Sequence, residues 1–329
     1  MQRVRRRQFL GVAGALLAAP WGRAQSQTRT YRLGILQAGN REGAIKLSEE
    51  PFLGALAALG FAEGRNLVIE RRYADSQLER LPGLAKELVA LKPDLIFSPA
   101  SQPTAALKAL GTSIPVVFCF VSDPVASGFA RTLARPGGSF TGLSNFGFEI
   151  AAKRVELLKE IVPKLRRLCA WNNPDSVVDA GELEEVKRAA DRFGMEFRTF
   201  RARNPAEFEE AAAATRAWAA GGIYVTGNPT SYVHRRQIVA LAAALKTPAI
   251  YWNIAFVEEG GLIAYAADFH DLARRAAVFA DKILRCANPA ELPIEQPTVL
   301  NLVVNLKAAR AIGVTLSQAM VQRADRVIE

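Results

Sequence analysis

Short apolar runs alternate with longer amphipathic stretches along most of the chain. Eight of the runs are rich in β-branched or aromatic residues and are bounded by turn-forming residues, which is typical of buried strands. The predicted strands are Tyr31–Leu36, Leu67–Tyr73, Leu95–Phe97, Val116–Val121, Leu168–Trp171, Met195–Phe200, Gly222–Val225 and Ala249–Tyr251. The stretches between them predict helices at Gly43–Gly60, Leu78–Leu91, Gln102–Leu110, Ala151–Val162, Asp179–Phe193, Pro205–Ala220 and Tyr232–Leu245.

The order of these elements indicates the fold class. Strands that are apolar throughout lie between helical stretches, and such strands are typical of parallel sheets covered by helices on both faces. The alternation is interrupted near residue 140 and then resumes. We therefore predict an α/β protein with two doubly wound lobes.

Three extended segments bordered by glycine or proline do not fit the alternation: Phe140–Ser144, Gly260–Tyr265 and Pro297–Val303. If the chain crosses between the lobes three times, these segments form the hinge of a clamshell. The alternative is that they are ordinary edge strands. On the hinge interpretation, one lobe comprises residues 25–143 plus 262–297, and the other comprises residues 144–261 plus 298–329.

The N-terminus carries an export signal. A basic segment, Arg5–Arg7, precedes the apolar run Leu10–Pro20 and a small-residue exit at Gly22–Ala24. We predict a signal peptide over residues 1–24 and a periplasmic mature protein; an uncleaved anchor is the alternative. The pair Arg6-Arg7 fits the twin-arginine route, and the general secretory route stays open.

The charge balance argues against nucleic acid as a partner. The chain of 329 residues has a formal charge of +10, but five of its arginines lie in the signal, which leaves +5 for the remainder. Basic residues interleaved with aromatics, the usual nucleic-acid pattern, do not occur. We expect a monomer whose partner is a small molecule.

The cysteines and histidines point to neither a disulfide framework nor a metal site. Cys119 and Cys169 lie in predicted buried strands, where cysteine packs as a small apolar residue, and a single disulfide is the alternative. The two histidines, His234 and His270, have no second histidine at metal-binding spacing. A Gly-x-Ser-x-Gly elbow, a P-loop and a dinucleotide fingerprint are all missing from the sequence. We expect no metal, no cofactor and no catalysis.

Polar residues follow almost every predicted strand. Because ligands of open α/β sheets bind beyond the carboxyl ends of the strands, these residues predict a polar cleft between the lobes. The candidates are Gln37, Ser98, Ser101, Ser122, Asp123, Asn173 and Asn228. We expect Asp123 to pair with a ligand ammonium and Ser101, Ser122 and Asn228 to bind a carboxylate or hydroxyls. Helix capping and turn formation are the alternative role of such residues.

Aromatic residues near the strand ends are candidates for apolar walls of that cleft. Tyr251 and Tyr265 are the two wall residues that we assign, and Phe120, Tyr224 and Trp252 lie in similar positions. Packing in the core is the alternative role for each of them.

Two regions of the sequence resemble a known family. The first runs Ser122-Asp123-Pro124-Val125-Ala126-Ser127-Gly128-Phe129 and continues from Leu133 to Gly142. The second comprises Ala276–Leu284, Leu292–Pro297 and Asn305–Ala309. Both are similar to segments of ABC transporter substrate-binding proteins of the tryptophan- and tyrosine-binding type.

The resemblance implies a type I periplasmic binding fold, with two Rossmann-like lobes joined by a three-segment hinge. It also implies delivery of a small polar ligand, an amino acid or a related metabolite, to the membrane permease of an ABC importer. The family's cleft positions correspond to Ser101, Ser122, Asp123 and Asn228. A periplasmic sensor that presents its ligand to a membrane receptor is the alternative function, and an exported enzyme is a third.

Overall fold

The computed structural model of this chain describes residues 29–176 and 178–329. The predicted signal peptide, residues 1–24, lies outside the described residues. Within the described residues, no helix has both the length and the apolar character that crossing a membrane requires.

Within the described residues, twelve strands form two sheets. In chain order they are β1 (Tyr31–Gln37), β2 (Leu67–Tyr73), β3 (Leu95–Pro99), β4 (Val116–Val121), β5 (Phe140–Ser144), β6 (Arg167–Asn172), β7 (Glu196–Arg201), β8 (Gly222–Val225), β9 (Ala249–Tyr251), β10 (Ile263–Ala267), β11 (Leu300–Asn305) and β12 (Arg326–Ile328). All eight strands predicted from the sequence are confirmed: four have the predicted ends, and the ends of the other four differ by one or two residues.

Helices connect most of these strands. They are α1 (Arg41–Ala44), α2 (Glu50–Ala58), α3 (Leu81–Ala90), α4 (Ser101–Ala109), α5 (Ala151–Ile161), α6 (Asp179–Arg192), α7 (Pro205–Ala217), α8 (Pro229–Val233), α9 (Arg235–Leu245), α10 (Ala255–Glu258), α11 (Phe269–Leu284), α12 (Leu306–Ile312) and α13 (Gln318–Arg323). A π-helical segment, Ile45–Glu49, joins α1 to α2, so the single helix predicted from Gly43 to Gly60 is one helical run with a local widening.

The first lobe is built on a parallel sheet of five strands in the order β2-β1-β3-β4-β5. Because alternate side chains of a strand point to opposite faces, its apolar strands supply two separate cores. Leu33 and Phe97 pack with α2 and α11 on one face, whereas Leu36 and Phe118 pack with α3 and α4 on the other.

The second lobe is built on a sheet of seven strands in the order β12-β11-β10-β9-β8-β6-β7. One pair, β10 with β11, is antiparallel, which departs from the purely parallel sheets predicted from the sequence. The reason lies in the path of the chain: after β10 it runs through α11 on the first lobe, and it returns to the second sheet from the opposite end. Helices α5 and α6 cover one face of this sheet, and α7 and α9 cover the other.

The chain passes between the two sheets at three places. It leaves the first sheet after β5, returns to it through α11, and re-enters the second sheet at β11. Residues 263–267, placed in the first lobe by the predicted boundary at residue 262, form β10 and pair with strands of the second sheet. The two-lobed α/β architecture agrees with the prediction.

Candidate ligand-binding site

A pocket lies between the two lobes, where the carboxyl ends of strands from both sheets face each other. The space between its walls, together with the part open to solvent, amounts to about 660 Å³. Gln37 of β1, Ser101 of α4 and Ser122 after β4 line it from the first lobe. Asn228 after β8 and Trp252 after β9 line it from the second lobe.

Four aromatic side chains form the apolar walls of the pocket. Phe120 and Phe269 belong to the first lobe, and their ring centroids are 4.6 Å apart. Tyr232 and Trp252 belong to the second lobe, with centroids 6.1 Å apart. The Trp252 ring meets the Phe269 ring edge-on at 5.4 Å, so an aromatic contact crosses from one lobe to the other. Flat walls of this kind suit a flat ligand.

The start of α4 faces the pocket without a cap. Its N-cap residue is Ala100, which has no side chain able to accept a hydrogen bond, and whose backbone lies at φ +95°. The next residue, Ser101, is 2% exposed, and its Oγ has no hydrogen-bond partner among the described residues. Since buried hydroxyls are normally paired, this group is available to a molecule in the pocket.

Gln37 presents a second polar group from the first lobe. Its Nε2 donates to Ser48 Oγ at 3.0 Å and lies 3.4 Å from Glu49 Oε1. Glu49 is 2% exposed and pairs with Arg71 at 3.2 Å, away from the pocket lining. This arrangement turns the amide nitrogen of Gln37 toward the protein and leaves its Oε1 for a donor from a ligand.

The loops of the second lobe are held by the buried carboxylate of Asp179, at the start of α6. Thr226 Oγ1 donates to Asp179 Oδ2 at 2.5 Å, and the backbone amide of Asn173 donates to the same oxygen at 2.8 Å. The side-chain amide of Asn228 donates to it at 3.1 Å. Burial raises the pKa of Asp179 to about 7, against the lowering effect of hydrogen bonds from Ser176 and Thr226. Asp179 therefore fixes the loops after β6 and β8.

A buried ion pair supports the same wall from behind. Arg154 Nη1 donates to Glu182 Oε1 at 3.0 Å, and the Tyr224 hydroxyl donates to that oxygen at 2.6 Å. The other oxygen of Glu182 accepts the backbone N–H of Gly227 at 2.8 Å. Both charges are satisfied by these partners. The network positions the backbone of Gly227, which lines the pocket.

A hydrogen bond joins the two lobes beside the pocket. Gln102 Nε2, on α4, donates to Ser176 Oγ, on the loop after β6, at 2.9 Å. Both side chains are buried, at 5% and 4% exposure. The edge-on contact of the Trp252 and Phe269 rings is a second link between the lobes. The lobes are thus joined by a polar and an aromatic contact.

Four of the residues predicted from the sequence line this pocket: Gln37, Ser101, Ser122 and Asn228. They come from different strand ends, and the fold brings them together as predicted for the edge of a parallel sheet. Asn228 also caps α8, since its Oδ1 accepts the N–H of Ser231 at 2.9 Å. The Asn228 side chain thus caps α8 and also lines one side of the pocket.

Three other polar candidates lie outside the pocket lining. Ser98 is fully buried and its Oγ is 2.9 Å from Thr104 Oγ1. Asp123 Oδ1 accepts the backbone N–H groups of Val125 at 3.0 Å and Ala126 at 2.8 Å, so it shapes the turn after β4. Asn173 donates to Thr230 Oγ1 at 3.1 Å.

The two tyrosines assigned to the walls pack elsewhere. Tyr251 is 1% exposed and stacks on Phe256 with ring centroids 4.9 Å apart. Tyr265 lies in β10, in the middle of the second sheet, and packs against the core there. Tyr232 and Phe269 were not among the wall residues predicted from the sequence. Both directly follow a predicted strand or its loop, and this position is the signal that would have found them.

The residues that line the pocket are uncharged. None of those described is a carboxylate, an ammonium, a guanidinium or an imidazole. Among the described residues there is also no group of three or more His, Cys, Asp and Glu side chains suited to a metal ion. The chemistry available in the pocket is therefore hydrogen bonding and apolar contact.

Similar proteins of known structure share this architecture. A conserved domain protein from Vibrio cholerae is 26% identical and aligns with a TM-score of 0.85 over 91% of this chain and 100% of the other. A Streptococcus pneumoniae ABC domain in complex with L-Trp is 24% identical, with a TM-score of 0.83 over 91% and 100% of the two chains. The fold is that of type I periplasmic binding proteins.

Sequence comparison gives the family. A tyrosine-binding protein of Clostridioides difficile is 24% identical over 272 residues, which cover 82% of this chain and 77% of the relative. The family model for ABC transporter substrate-binding proteins matches residues 42–328. Its members are solute-binding proteins and not enzymes. The chain belongs to the ABC transporter substrate-binding protein family.

Proposed function

We propose that this protein is the periplasmic solute-binding component of an ABC importer and that its two lobes close on a small molecule. Substrate-binding proteins of this family deliver small molecules to an ABC permease and typically act outside the cytoplasm. The observation that carries the proposal is the pocket between the lobes, which is lined from both of them.

Closure follows from contacts that only a closed arrangement makes. The bond from Gln102 to Ser176 and the Trp252–Phe269 contact both join one lobe to the other. A ligand that touches Ser101 and Asn228 together binds the closed form more tightly than the open one. Its differential affinity shifts the population toward closure. The permease then distinguishes the loaded protein by its closed shape.

The test is a thermal-shift screen of the purified full chain, refolded from denaturant so that no bound molecule is carried over. The panel comprises amino acids, aromatic acids and amides, nucleosides, small organic acids and sugars. A compound at about 100 times its Kd stabilises the native state by about 2.7 kcal/mol. A rise in Tm with members of one class supports solute binding. A flat response across the whole panel contradicts it.

The import role has its own test. We expect deletion of the gene to abolish uptake of the radiolabelled compound that gives the largest shift, and re-expression of the chain to restore it. Uptake that is unchanged by the deletion, from a protein that binds the compound, favours the alternative of a periplasmic sensor.

A further inference from the structure

The ligand has to match a pocket in which hydrogen-bonding groups face apolar walls and none of the described lining residues is charged. Walls made by Phe120, Trp252 and Phe269 accommodate a flat ring. The polar groups are concentrated on the side of the first lobe. Which functional groups the ligand carries therefore depends on what these polar groups donate or accept.

The donors lie at the start of α4. Ser101 Oγ is unpaired and buried. The backbone N–H groups of Ser101 and Gln102, in the first turn of the helix, have no acceptor within it, and Pro103 has no N–H to offer. Three donors thus lie in the first turn of α4, at the positive end of the helix dipole. An acceptor oxygen, as in a carboxylate or an amide carbonyl, satisfies them.

A group that would pair with a ligand ammonium is missing from the described lining. One carboxylate oxygen of Asp123, Oδ1, is held in the turn after β4, and Asp123 is not among the residues that line the pocket. Glu49 lies behind Gln37, and Asp179 lies behind Asn228 and Thr226. A buried ammonium without a countercharge is strongly destabilised, and a neutral amide oxygen such as Gln37 Oε1 does not compensate for it.

We propose, on the basis of the proposed function, that the ligand is a flat aromatic molecule with an acceptor oxygen and no ammonium group. The acceptor oxygen binds Ser101 Oγ and the free amides of α4, and the ring lies against the aromatic side chains. The protein therefore discriminates against aromatic amino acids and aromatic amines. Gln37 Oε1 accepts a hydrogen bond from an N–H or O–H on the ring.

A series of compounds on one ring tests this directly. Isothermal titration of the refolded full chain compares indole-3-acetate, indole-3-acetamide, tryptamine and L-tryptophan. We expect the acetate, the acetamide or both to bind at least about tenfold more tightly than tryptamine and L-tryptophan, equivalent to about 1.4 kcal/mol. The order of acetate and acetamide tells whether the acceptor is an anion or a neutral carbonyl. Equal or tighter binding of L-tryptophan or tryptamine overturns the proposal.

A pair of serine variants locates the acceptor site. Ser101→Ala removes the unpaired hydroxyl, and we expect it to weaken the tighter-binding indole compound by about tenfold. Ser139→Ala is the matched control, because its hydroxyl donates to the backbone of Thr112 at 3.0 Å, far from the pocket lining. Affinity that is unchanged in Ser101→Ala, with an unchanged Tm, removes Ser101 from the site.

Failure of this inference is distinguishable from failure of the proposed function. If the broad panel produces thermal shifts only with compounds that carry an ammonium group or lack a flat ring, the protein binds solutes and this inference is wrong. If no compound in either experiment binds, the proposed function itself is contradicted.

Discussion

Polar residues at the strand ends of this protein fall into two groups according to where their side chains are directed. Asp123 and Asn173 bond to nearby backbone or to a neighbouring loop, so their polar atoms are satisfied by the protein. Ser101 is buried and satisfied by nothing among the described residues. In a binding protein, a buried polar side chain without a partner contributes most to the binding free energy, because it gains a hydrogen bond when the ligand binds.

The two roles considered for Asp123 predict different results on substitution. Asp123→Asn keeps an acceptor for the N–H groups of Val125 and Ala126 but removes the charge. If Asp123 acts in the turn, we expect the affinity of indole-3-acetamide and of L-tryptophan to change by less than about twofold. A loss of about tenfold or more for L-tryptophan alone in Asp123→Asn would instead identify Asp123 as the partner of its ammonium.

Asp123→Ala is the companion variant. It removes the acceptor as well as the charge, and we expect it to lower the free energy of unfolding by about 1 kcal/mol, as measured by denaturant titration. Equal stability of the Ala and Asn variants contradicts the role in the turn.

The sequence predicted which types of residue line the site, but it did not predict which of these side chains point into the pocket. Serine, asparagine and aspartate favour both caps and ligand sites, and the choice between these roles depends on the neighbouring backbone N–H groups. Asp123 accepts hydrogen bonds from two such groups, whereas the Ser101 hydroxyl makes no hydrogen bond within the described residues. This difference arises from the backbone conformation of the folded turn, so the residue types alone do not predict it.

At the scale of elements, the connection from β3 to α4 is strained. Ala100 lies at φ +95° and ψ 157°, a region that residues other than glycine rarely adopt. The strain fixes the direction in which α4 begins, and hence the position of Ser101. Strain of this kind costs of the order of 1–3 kcal/mol and is tolerated where the surrounding structure determines the backbone.

Ala100→Gly relieves this strain. Because glycine adopts the conformation freely but loses more chain entropy on folding, we expect a net gain of about 1 kcal/mol in the free energy of unfolding. Chemical denaturation of the variant beside the wild type measures it. A variant that is less stable than the wild type would show that the backbone at residue 100 is not strained.

The loops of the second lobe depend on the protonation of Asp179. Its pKa is raised to about 7 by burial, from an ordinary value near 3.8. Between these values the native state binds the proton and the unfolded state does not. The Asp179 contribution to stability is therefore present at low pH and is lost as the pH rises through about 7.

Asp179→Asn removes this titration. We expect the Tm of the wild type minus the Tm of the variant to increase as the pH is lowered from 8 to 5. Thermal unfolding in steps of half a pH unit measures this difference. A difference that is constant over this range contradicts the raised pKa.

The strands were easier to predict from the sequence than the connections between secondary-structure elements. Fully apolar runs such as Val116–Val121 indicate a strand wherever they occur, and all eight were found. The π-helical segment before α2 and the break between α8 and α9 lie beside the pocket, and no local periodicity marks them. The antiparallel strand β11 depends on the path of the chain through α11, which local periodicity does not show.

At the scale of the whole molecule, the pocket exists because the two lobes meet. Its aromatic walls come from residues far apart in the sequence, such as Phe120 and Trp252. The lobes are joined there by the hydrogen bond from Gln102 to Ser176 and by the contact of Trp252 with Phe269. The sequence motifs indicated the family and the three passages between lobes. They did not indicate which aromatic residues meet, because that depends on how the lobes pack.

If the small-molecule site is the pocket between the lobes, a side chain that fills the pocket abolishes binding. Ala44→Phe adds a ring to the lining, since Ala44 faces the pocket, and Ala58→Phe adds the same ring at the exposed end of α2. Isothermal titration would use the tightest-binding compound of the thermal-shift screen. We predict a loss of about a hundredfold or more in Ala44→Phe and wild-type affinity in Ala58→Phe. Wild-type affinity in a folded Ala44→Phe protein would contradict the account.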